Sequence, residues 1–294
     1  MNKIRYFFKN FFKLSNAGNI FFLLLNMFFI LFPVMGTGME MEYILYCLGL
    51  YFLSLLAAFS PLGQGLMNVF SGAKKITRID MREKIMPLVE EVFLEAKKKT
   101  PDMTDKINVR IMYNPEPNAF AIGMNTLCVS SGLLEMPDDL IKGVIAHEIG
   151  HLALQHTVMQ VLIIGGNLMM TMFMVIGEIV KAIFNIQKSS FFFSRDKTQS
   201  CISMLIQILI IGTIFLWTRF CMLILRGSSR ANEYEADQYA LEIGYGDELA
   251  EALDELTFGQ PQATFLQAIY STHPDPSDRI GRLQSLGSEY RRMI

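Results

Sequence analysis

Charge and cysteine are both scarce in this chain. Only 18% of its 294 residues are charged, whereas soluble domains carry roughly 25%, so an ordinary water-soluble globule is excluded. The four cysteines are widely separated and form no CxxC pair, which excludes a disulfide framework and a thiolate metal site. The formal net charge of −2 offers no basic field to a polyanion, so we expect no nucleic-acid partner.

The shortage of charge is concentrated in four apolar runs, in which Arg219 is the only charged residue. A helix needs about 20 apolar residues to cross the hydrocarbon core of a bilayer, and each run comes close to this length with its uncharged flanks. We therefore predict four transmembrane helices joined to a soluble domain. The runs are Ile20–Met35, Tyr43–Phe59, Val158–Gly177 and Ile202–Leu225.

Basic residues set the expected orientation in the bilayer. Four lysines and arginines precede the first run, and residues 36–42 after it contain none. Because Lys and Arg favour the cytoplasmic side, we expect a retained N-terminal anchor with both chain termini in the cytoplasm. The loop between the third and fourth runs is also basic, which opposes this rule. Those two runs therefore have two open interpretations, full spans or a hairpin that dips into the membrane.

These runs predict a three-part organisation. Residues 1–70 form an N-terminal membrane anchor with two transmembrane helices. Residues 71–157 and 227–294 form one cytoplasmic domain, and residues 158–226 form a second transmembrane helix pair between its two segments.

Periodicity predicts helices in the soluble segments. Apolar residues at helical spacing indicate a helix over Asp80–Lys99, which Pro101 ends. Pro137 and the two aspartates after it favour the start of another helix that runs to about His156. A further helix is expected over Ser229–Ile243, before two glycines.

Short strands are expected between these helices. Alternation predicts a strand at Asn108–Tyr113, and Asn118–Gly123 and Thr126–Ser131 are predicted to pair across a tight turn. The predicted fold class is therefore mainly α with a small antiparallel β-sheet, plus the four transmembrane helices.

The helix after Pro137 contains an H-E-x-x-H motif at His147–His151. Its two histidines are about 40° apart around the helix and one turn apart along it, so both imidazoles can reach one metal ion. The side chain of Glu148 projects beside them toward a metal-bound water. We expect Glu148 to be the catalytic residue.

A catalytic zinc site has three protein ligands and one open position. The metzincin spacing would place a histidine at position 157, which is Thr157. Glu233 is the alternative donor, and Asp237 lies on the same helical face. We expect Glu233 to bind the metal and Asp237 to accept a hydrogen bond from a ligand histidine. Glu235 points elsewhere and is expected to be only a surface residue.

The chain has two further histidines, His156 and His273. His156 is about 140° around the helix from His151, which favours a helix-end or membrane-interface residue over a ligand. His273 has two open interpretations. It either organises a turn or reaches the site to stabilise an oxyanion in the transition state, with Arg279 supporting it.

Taken together, these motifs resemble the HtpX-type membrane zinc metalloproteases, in the larger peptidase group that also contains the CAAX prenyl proteases. The similarity covers nearly the whole chain, including the order of apolar runs and motifs. The matching segments are Pro117–Ala121, His147–His151, Glu233–Asp237, and His273-Pro274 with Arg279.

The resemblance implies a gluzincin-like protease domain with one zinc ion per chain. Its ligands would be His147, His151 and Glu233, with Glu148 catalytic and Asp237 holding a ligand histidine. An edge strand would bind extended substrate through main-chain hydrogen bonds, and it comprises Asn118, Ala119, Phe120 and Ala121.

The family also implies a location and a role. The domain would face the cytoplasm at a bacterial inner membrane and degrade misfolded or damaged membrane proteins, as part of a stress response. Two alternatives stay open, a CAAX-type prenyl-protein protease and a non-catalytic zinc-containing membrane scaffold. Metal analysis combined with a cleavage assay distinguishes all three.

Overall fold

The computed structural model describes residues 3–36, 41–166, 229–257 and 274–291. The chain divides into two compact units. The first comprises Met1–Ala17, Ala58–Val161 and Ser228–Ile294, and the second comprises Gly18–Ala57 and Leu162–Gly227. Most of the third apolar run, the whole fourth run and His273 lie outside the described residues.

The described elements are mainly helical, with one small sheet. The helices are α1 Lys3–Phe11, α2 Ala17–Gly36, α3 Met41–Phe59, α4 Pro61–Phe70, α5 Ile79–Lys99, α6 Asp138–Ala153, α7 His156–Gly166, α8 at residues 229–242, α9 Gly246–Thr257 and α10 Pro276–Leu286. The strands are β1 Lys74–Lys75, β2 Asn108–Met112, β3 Ala119–Ile122 and β4 Thr126–Ser130.

The sheet has the strand order β1-β2-β4-β3. Strands β3 and β4 pair antiparallel as predicted, and Gly123 in their turn has a φ of 61°, which a side chain would disfavour. Strand β4, however, pairs parallel with β2. The sheet is therefore mixed, and the expectation of an antiparallel sheet was wrong. After β2 the chain first forms β3 at the far edge of the sheet. It then turns back, and β4 lies between β2 and β3.

Helix α6 is at the centre of the hydrophobic core of the first unit. Its apolar stripe Ile141, Ile145 and Ile149 is fully buried, and the helix contacts α5, α9 and β3. The four-residue spacing keeps these side chains on one helical face, and their burial against apolar neighbours stabilises the position of the helix that carries the H-E-x-x-H motif.

Two glycines let α6 approach its neighbours closely. A Cβ added at Gly143 would lie 2.4 Å from the backbone nitrogen of Leu249 on α9. A Cβ added at Gly150 would lie 3.1 Å from the carbonyl oxygen of Ala236 on α8. Because Gly150 is inside the motif, the absence of its side chain brings α8 against the two histidines.

Candidate membrane spans in the described ranges consist of paired helices. No single helix in these ranges is both long and apolar enough. Three pairs of consecutive helices, each bent at a short break, satisfy length and composition when the two members are combined. The pairs are Arg5–Phe11 with Leu14–Phe28, Ile44–Phe59 with Pro61–Val69, and Asp138–Ala153 with His156–Gly166. The four transmembrane helices stay a prediction.

Candidate metal centre

Three candidate ligands from two helices converge in the first unit. His147 and His151 on α6 bring their Nε2 atoms to 3.2 Å of each other. Glu233 on α8 places Oε2 3.4 Å from the Nε2 of His147 and Oε1 3.4 Å from the Nε2 of His151. All three residues are buried, and their donor atoms lie within 4.8 Å of one another. Two imidazoles and a carboxylate therefore surround one point.

The far side of His147 contacts a buried ion pair. Its Nδ1 lies 2.8 Å from Oδ1 of Asp237. Arg279 on α10 donates to both oxygens of that carboxylate, from Nε at 2.8 Å and from Nη2 at 2.5 Å. Burial acts to raise the pKa of Asp237, but the hydrogen bonds from Arg279 and His147 outweigh it and lower the pKa to about 2. Asp237 is thus an anion that fixes the ring of His147.

The carboxylates of Asp237 and Glu233 make the surroundings of His147 favourable for positive charge. Burial and the nearby Arg279 act to lower the pKa of His147, but Asp237 and Glu233 outweigh both and raise it to about 10. A divalent cation at the convergence point meets the same negative charges. Two histidine nitrogens and one carboxylate are the three-residue donor set of a catalytic zinc site. The residues present therefore fit a zinc ion.

Glu148 lies beside this convergence point without belonging to the trio. Its Oε1 is 4.0 Å from Nε2 of His147, and its Oε2 accepts a hydrogen bond of 2.8 Å from the backbone N–H of Ala121. The carboxylate is therefore held between the candidate ligands and strand β3.

Strand β3 is at the edge of the described sheet. The N–H of Ser130 donates to the carbonyl of Asn118 at 2.8 Å, so Asn118 and every second residue after it direct their main-chain groups toward β4. In an antiparallel pair the intervening residues direct theirs away, which here are Ala119 and Ala121. The bond from Ala121 to Glu148 agrees with this assignment. The outward edge of β3 therefore faces the metal centre.

A cleft of about 550 Å³ joins these groups. One side presents strand β3, Glu148 and the three candidate ligands, and Arg279 also reaches the lining. Apolar side chains also line the cleft, and they are Leu133, Val144, Leu249, Leu253 and Leu256. The remaining lining residues are Pro117, Thr157, Gln160 and Ser229. The cleft therefore offers both apolar and polar wall residues beside the metal centre.

Sequence reasoning missed a second group of polar residues behind His151. His156 is buried, and its Nδ1 lies 3.0 Å from Nδ1 of His151. Glu235 places Oε2 3.5 Å from Nε2 of His156 and 2.9 Å from Nζ of Lys13. Burial lowers the pKa of His156 to about 4. The expectation that Glu235 is only a surface residue was therefore wrong.

A break in the helix explains why the contact between His156 and His151 was not predicted. The predicted angle of 140° assumed one continuous helix to His156, but α6 ends at Ala153 and Gln155 has a positive φ of 63°. This turn brings His156, the first residue of α7, back against His151. Gln155 has no sequence signal for a left-handed conformation, which glycine and asparagine favour.

The fold and this site define a class of protein, the zinc-dependent metallopeptidases. The chain belongs to Peptidase family M48, whose sequence profile matches residues 82–286. Its members are zinc-dependent hydrolases of protein substrates, and the predicted resemblance to HtpX-type proteases is confirmed.

Two relatives illustrate this similarity. A protease HtpX homologue from Dictyoglomus thermophilum is 27% identical over 248 residues, covering 76% of this chain and 75% of the relative. A second HtpX homologue, from Thermoanaerobacter pseudethanolicus, is 31% identical over 231 residues and covers 68% and 70%.

A solved structure has the same fold. The crystal structure of S. mikatae Ste24p matches with a TM-score of 0.51 at 19% sequence identity. The match covers 89% of this chain but only 61% of that chain, so this chain corresponds to about three fifths of its length. At this identity the likeness concerns the fold alone.

Proposed function

We propose that this chain is a membrane-anchored zinc endopeptidase in which His147, His151 and Glu233 bind one zinc ion and Glu148 is the general base. The observation that carries the proposal is the approach of three donor atoms, from helices far apart in sequence, to within 4.8 Å of one another. When bound, zinc supplies Lewis acidity, which polarises a peptide carbonyl and activates water.

Glu148 is proposed to transfer the proton. The Ala121 N–H holds its Oε2, which leaves Oε1 directed toward the ligand side of the cleft, 4.0 Å from Nε2 of His147. A carboxylate in this position takes a proton from the attacking water and passes it to the nitrogen of the leaving amine. Asp237 accepts the hydrogen bond from Nδ1 of His147 and keeps Nε2 directed at the metal.

Substrate is proposed to bind as an extended segment along β3. Ala119 and Ala121 direct their main-chain groups away from β4, and an added strand pairs with such groups. Asn118 and Phe120 complete the proposed edge. The apolar part of the cleft accepts a side chain of the segment, and an unfolded protein supplies segments of this kind.

The four apolar runs and the HtpX relatives support a proposal for the location, the substrate class and the domain arrangement. We propose a multi-pass protein of a bacterial inner membrane, with the protease domain at residues 71–157 and 227–294 in the cytoplasm, acting on misfolded or damaged membrane proteins. Transition-state stabilisation by His273 and Arg279 stays a prediction. Both oxygens of Asp237 already accept hydrogen bonds from Arg279, whose Nη1 lies 3.7 Å from Oε2 of Glu233.

The alternatives have less support. The likeness to Ste24p concerns only the fold and covers part of that chain, so it gives no reason to choose a prenylated substrate. A non-catalytic zinc scaffold does not explain Glu148, since structural zinc sites use four protein ligands, whereas this carboxylate lies beside a three-residue donor set.

The test is the Glu148→Gln variant of the full chain in detergent. We expect bound zinc to remain at the parent level, because Glu148 is outside the donor trio, and cleavage of an unfolded membrane protein to fall by about 10²–10⁴-fold, the typical contribution of general base catalysis. A chelator should abolish cleavage by the parent.

The matched control is Glu242→Gln, a change on α8 at a residue that pairs with Lys99 away from the site. It should retain zinc and parent activity. Parent-level cleavage by Glu148→Gln would remove Glu148 from the mechanism.

A further inference from the structure

The Nδ1 atoms of His147 and His151 contact different groups. Nδ1 of His147 faces a carboxylate, Asp237, directly. Nδ1 of His151 faces another imidazole, that of His156, at 3.0 Å. His156 is almost fully buried at 1% exposure, and the function proposed above gives it no role.

The hydrogen-bond pattern assigns a direction to this contact. The Nε2 atom of His151 faces His147 and Glu233, so it is the atom directed at the metal. A neutral imidazole that binds metal through Nε2 carries its proton on Nδ1. His151 is then the donor in the contact of the two Nδ1 atoms, and Nδ1 of His156 is the acceptor.

The other side of His156 completes the assignment. With Nδ1 as acceptor, the proton of the His156 ring is on Nε2, and that atom faces Oε2 of Glu235 at 3.5 Å. The same oxygen is 2.9 Å from Nζ of Lys13. The contact at Nε2 of His156 is at ion-pair distance and is too long for a hydrogen bond, so Glu235 places a negative charge beside that atom.

The amino-terminal segment is packed against the same region. Lys13 follows α1, and the hydroxyl of Tyr6 on α1 donates to the carbonyl oxygen of Ala153 at the end of α6. These two contacts join the segment before α2 to both helices of the metal centre, because Glu235 is on α8.

We propose that His156 is a positioning residue that holds the ring of His151 with Nε2 toward the metal, and that Glu235, assisted by Lys13, holds His156. This inference rests on the zinc site proposed above. Loss of a group that orients a metal ligand lowers metal affinity by about ten- to hundredfold. The 3.5 Å contact of Glu235 is longer than that of His156 to His151, so we expect effects that decrease from His156 to Glu235 to Lys13.

The experiment measures zinc affinity by competition with a chromogenic chelator, on the full chain in detergent, for three variants of His156. Leucine removes both polar contacts. Asparagine keeps an acceptor near the position of Nδ1, and glutamine places its polar end near the position of Nε2. We expect His156→Leu and His156→Gln to bind zinc about ten- to hundredfold more weakly than the parent, and His156→Asn to bind clearly more tightly than His156→Gln.

Equal affinity of the asparagine and glutamine variants would overturn the proposal, and this comparison is sufficient even if the leucine variant does not fold. Affinity of a folded His156→Leu variant within about twofold of the parent would also overturn it. The matched surface control is Lys99→Met, which removes a Lys–Glu contact elsewhere on α8 and should leave zinc affinity unchanged, whereas Glu235→Gln should weaken it.

Zinc affinity and turnover separate the two proposals. A parent protein that binds zinc but cleaves nothing contradicts the proposed peptidase function, while the affinities of the His156 variants still decide the positioning role. A parent that binds and cleaves, with unchanged affinities in the variants, contradicts the positioning role alone.

Discussion

The two sides of the metal centre differ in how they are built. The side of His147 contains a buried ion pair, since the side chains of Arg279 and Asp237 are only 7% and 2% exposed. The side of His151 ends in a pair that reaches solvent, since Lys13 and Glu235 are 28% and 32% exposed. Buried charges that lose their partner destabilise a fold strongly, whereas exposed pairs contribute little. The first side is therefore coupled to stability and the second mainly to metal affinity.

Removing Asp237 should have the largest effect. Asp237→Ala leaves Arg279 buried without the carboxylate that accepts its hydrogen bonds, so we expect a loss of about 3–5 kcal/mol in the free energy of unfolding. Glu235→Ala should lose only about 0–1 kcal/mol. Denaturant unfolding of the metal-free chains in detergent measures both.

The double variant Asp237→Ala/Arg279→Leu serves as the control for this prediction. It removes both charges and should recover part of the lost stability, while zinc affinity stays low because His147 still lacks its carboxylate. Equal unfolding free energies of Asp237→Ala and Glu235→Ala would contradict the difference between the two sides.

An intermediate effect is expected where α6 and α8 touch, because α8 supplies carboxylates to both sides. A Cβ at Gly150 lies 3.1 Å from the carbonyl oxygen of Ala236, so Gly150→Ala forces α8 outward by a few tenths of an ångström. We expect a loss of about 1–3 kcal/mol in stability and weaker zinc binding, measured by unfolding and by chelator competition.

Gly143→Ala is the matched change on the same helix. Its Cβ meets the backbone of Leu249 at 2.4 Å, but α9 contributes no candidate ligand. This variant should lose stability while its folded fraction keeps parent zinc affinity. If Gly150→Ala also binds zinc like the parent, then the close approach of α8 does not determine the geometry of the site.

The smallest effect is expected at β3, which supports neither imidazole. Ala121→Pro removes an N–H that faces Glu148 instead of β4, and edge strands tolerate proline at such positions. Loss of one hydrogen bond of about 1 kcal/mol predicts a decrease of roughly fivefold in kcat/KM, with stability and zinc content retained.

Phe120→Pro provides the contrast, because the N–H of Phe120 faces β4 and its loss breaks the strand pairing. That variant should be destabilised. Unchanged kcat/KM in Ala121→Pro would exclude a role for this amide in substrate binding or in holding Glu148.

Much of the local structure could be predicted from the sequence. Apolar periodicity correctly indicated α5, and proline and acidic residues marked the start of α6. Alternation located β2 and the hairpin of β3 and β4. The parallel pairing of β2 and β4 could not be predicted, because alternation determines which faces of a strand are buried and not which strands are neighbours.

Two of the candidate ligands, His147 and His151, could also be predicted from the sequence. Their four-residue spacing on a helix brings the two imidazoles together independently of the rest of the fold. The contacts of His156 and Glu235 could not be predicted. They depend on the positive φ of Gln155 and on the approach of Lys13 from a distant segment, and neither has a local sequence signal.

X-ray absorption at the zinc edge of the zinc-loaded chain in detergent tests the central claim, that two imidazoles and one carboxylate hold the metal. We predict only nitrogen and oxygen ligands at about 2.0–2.2 Å, with a scattering signal from two imidazoles that is unchanged in Glu148→Gln. A third imidazole, or a sulfur ligand at about 2.3 Å, would contradict the account.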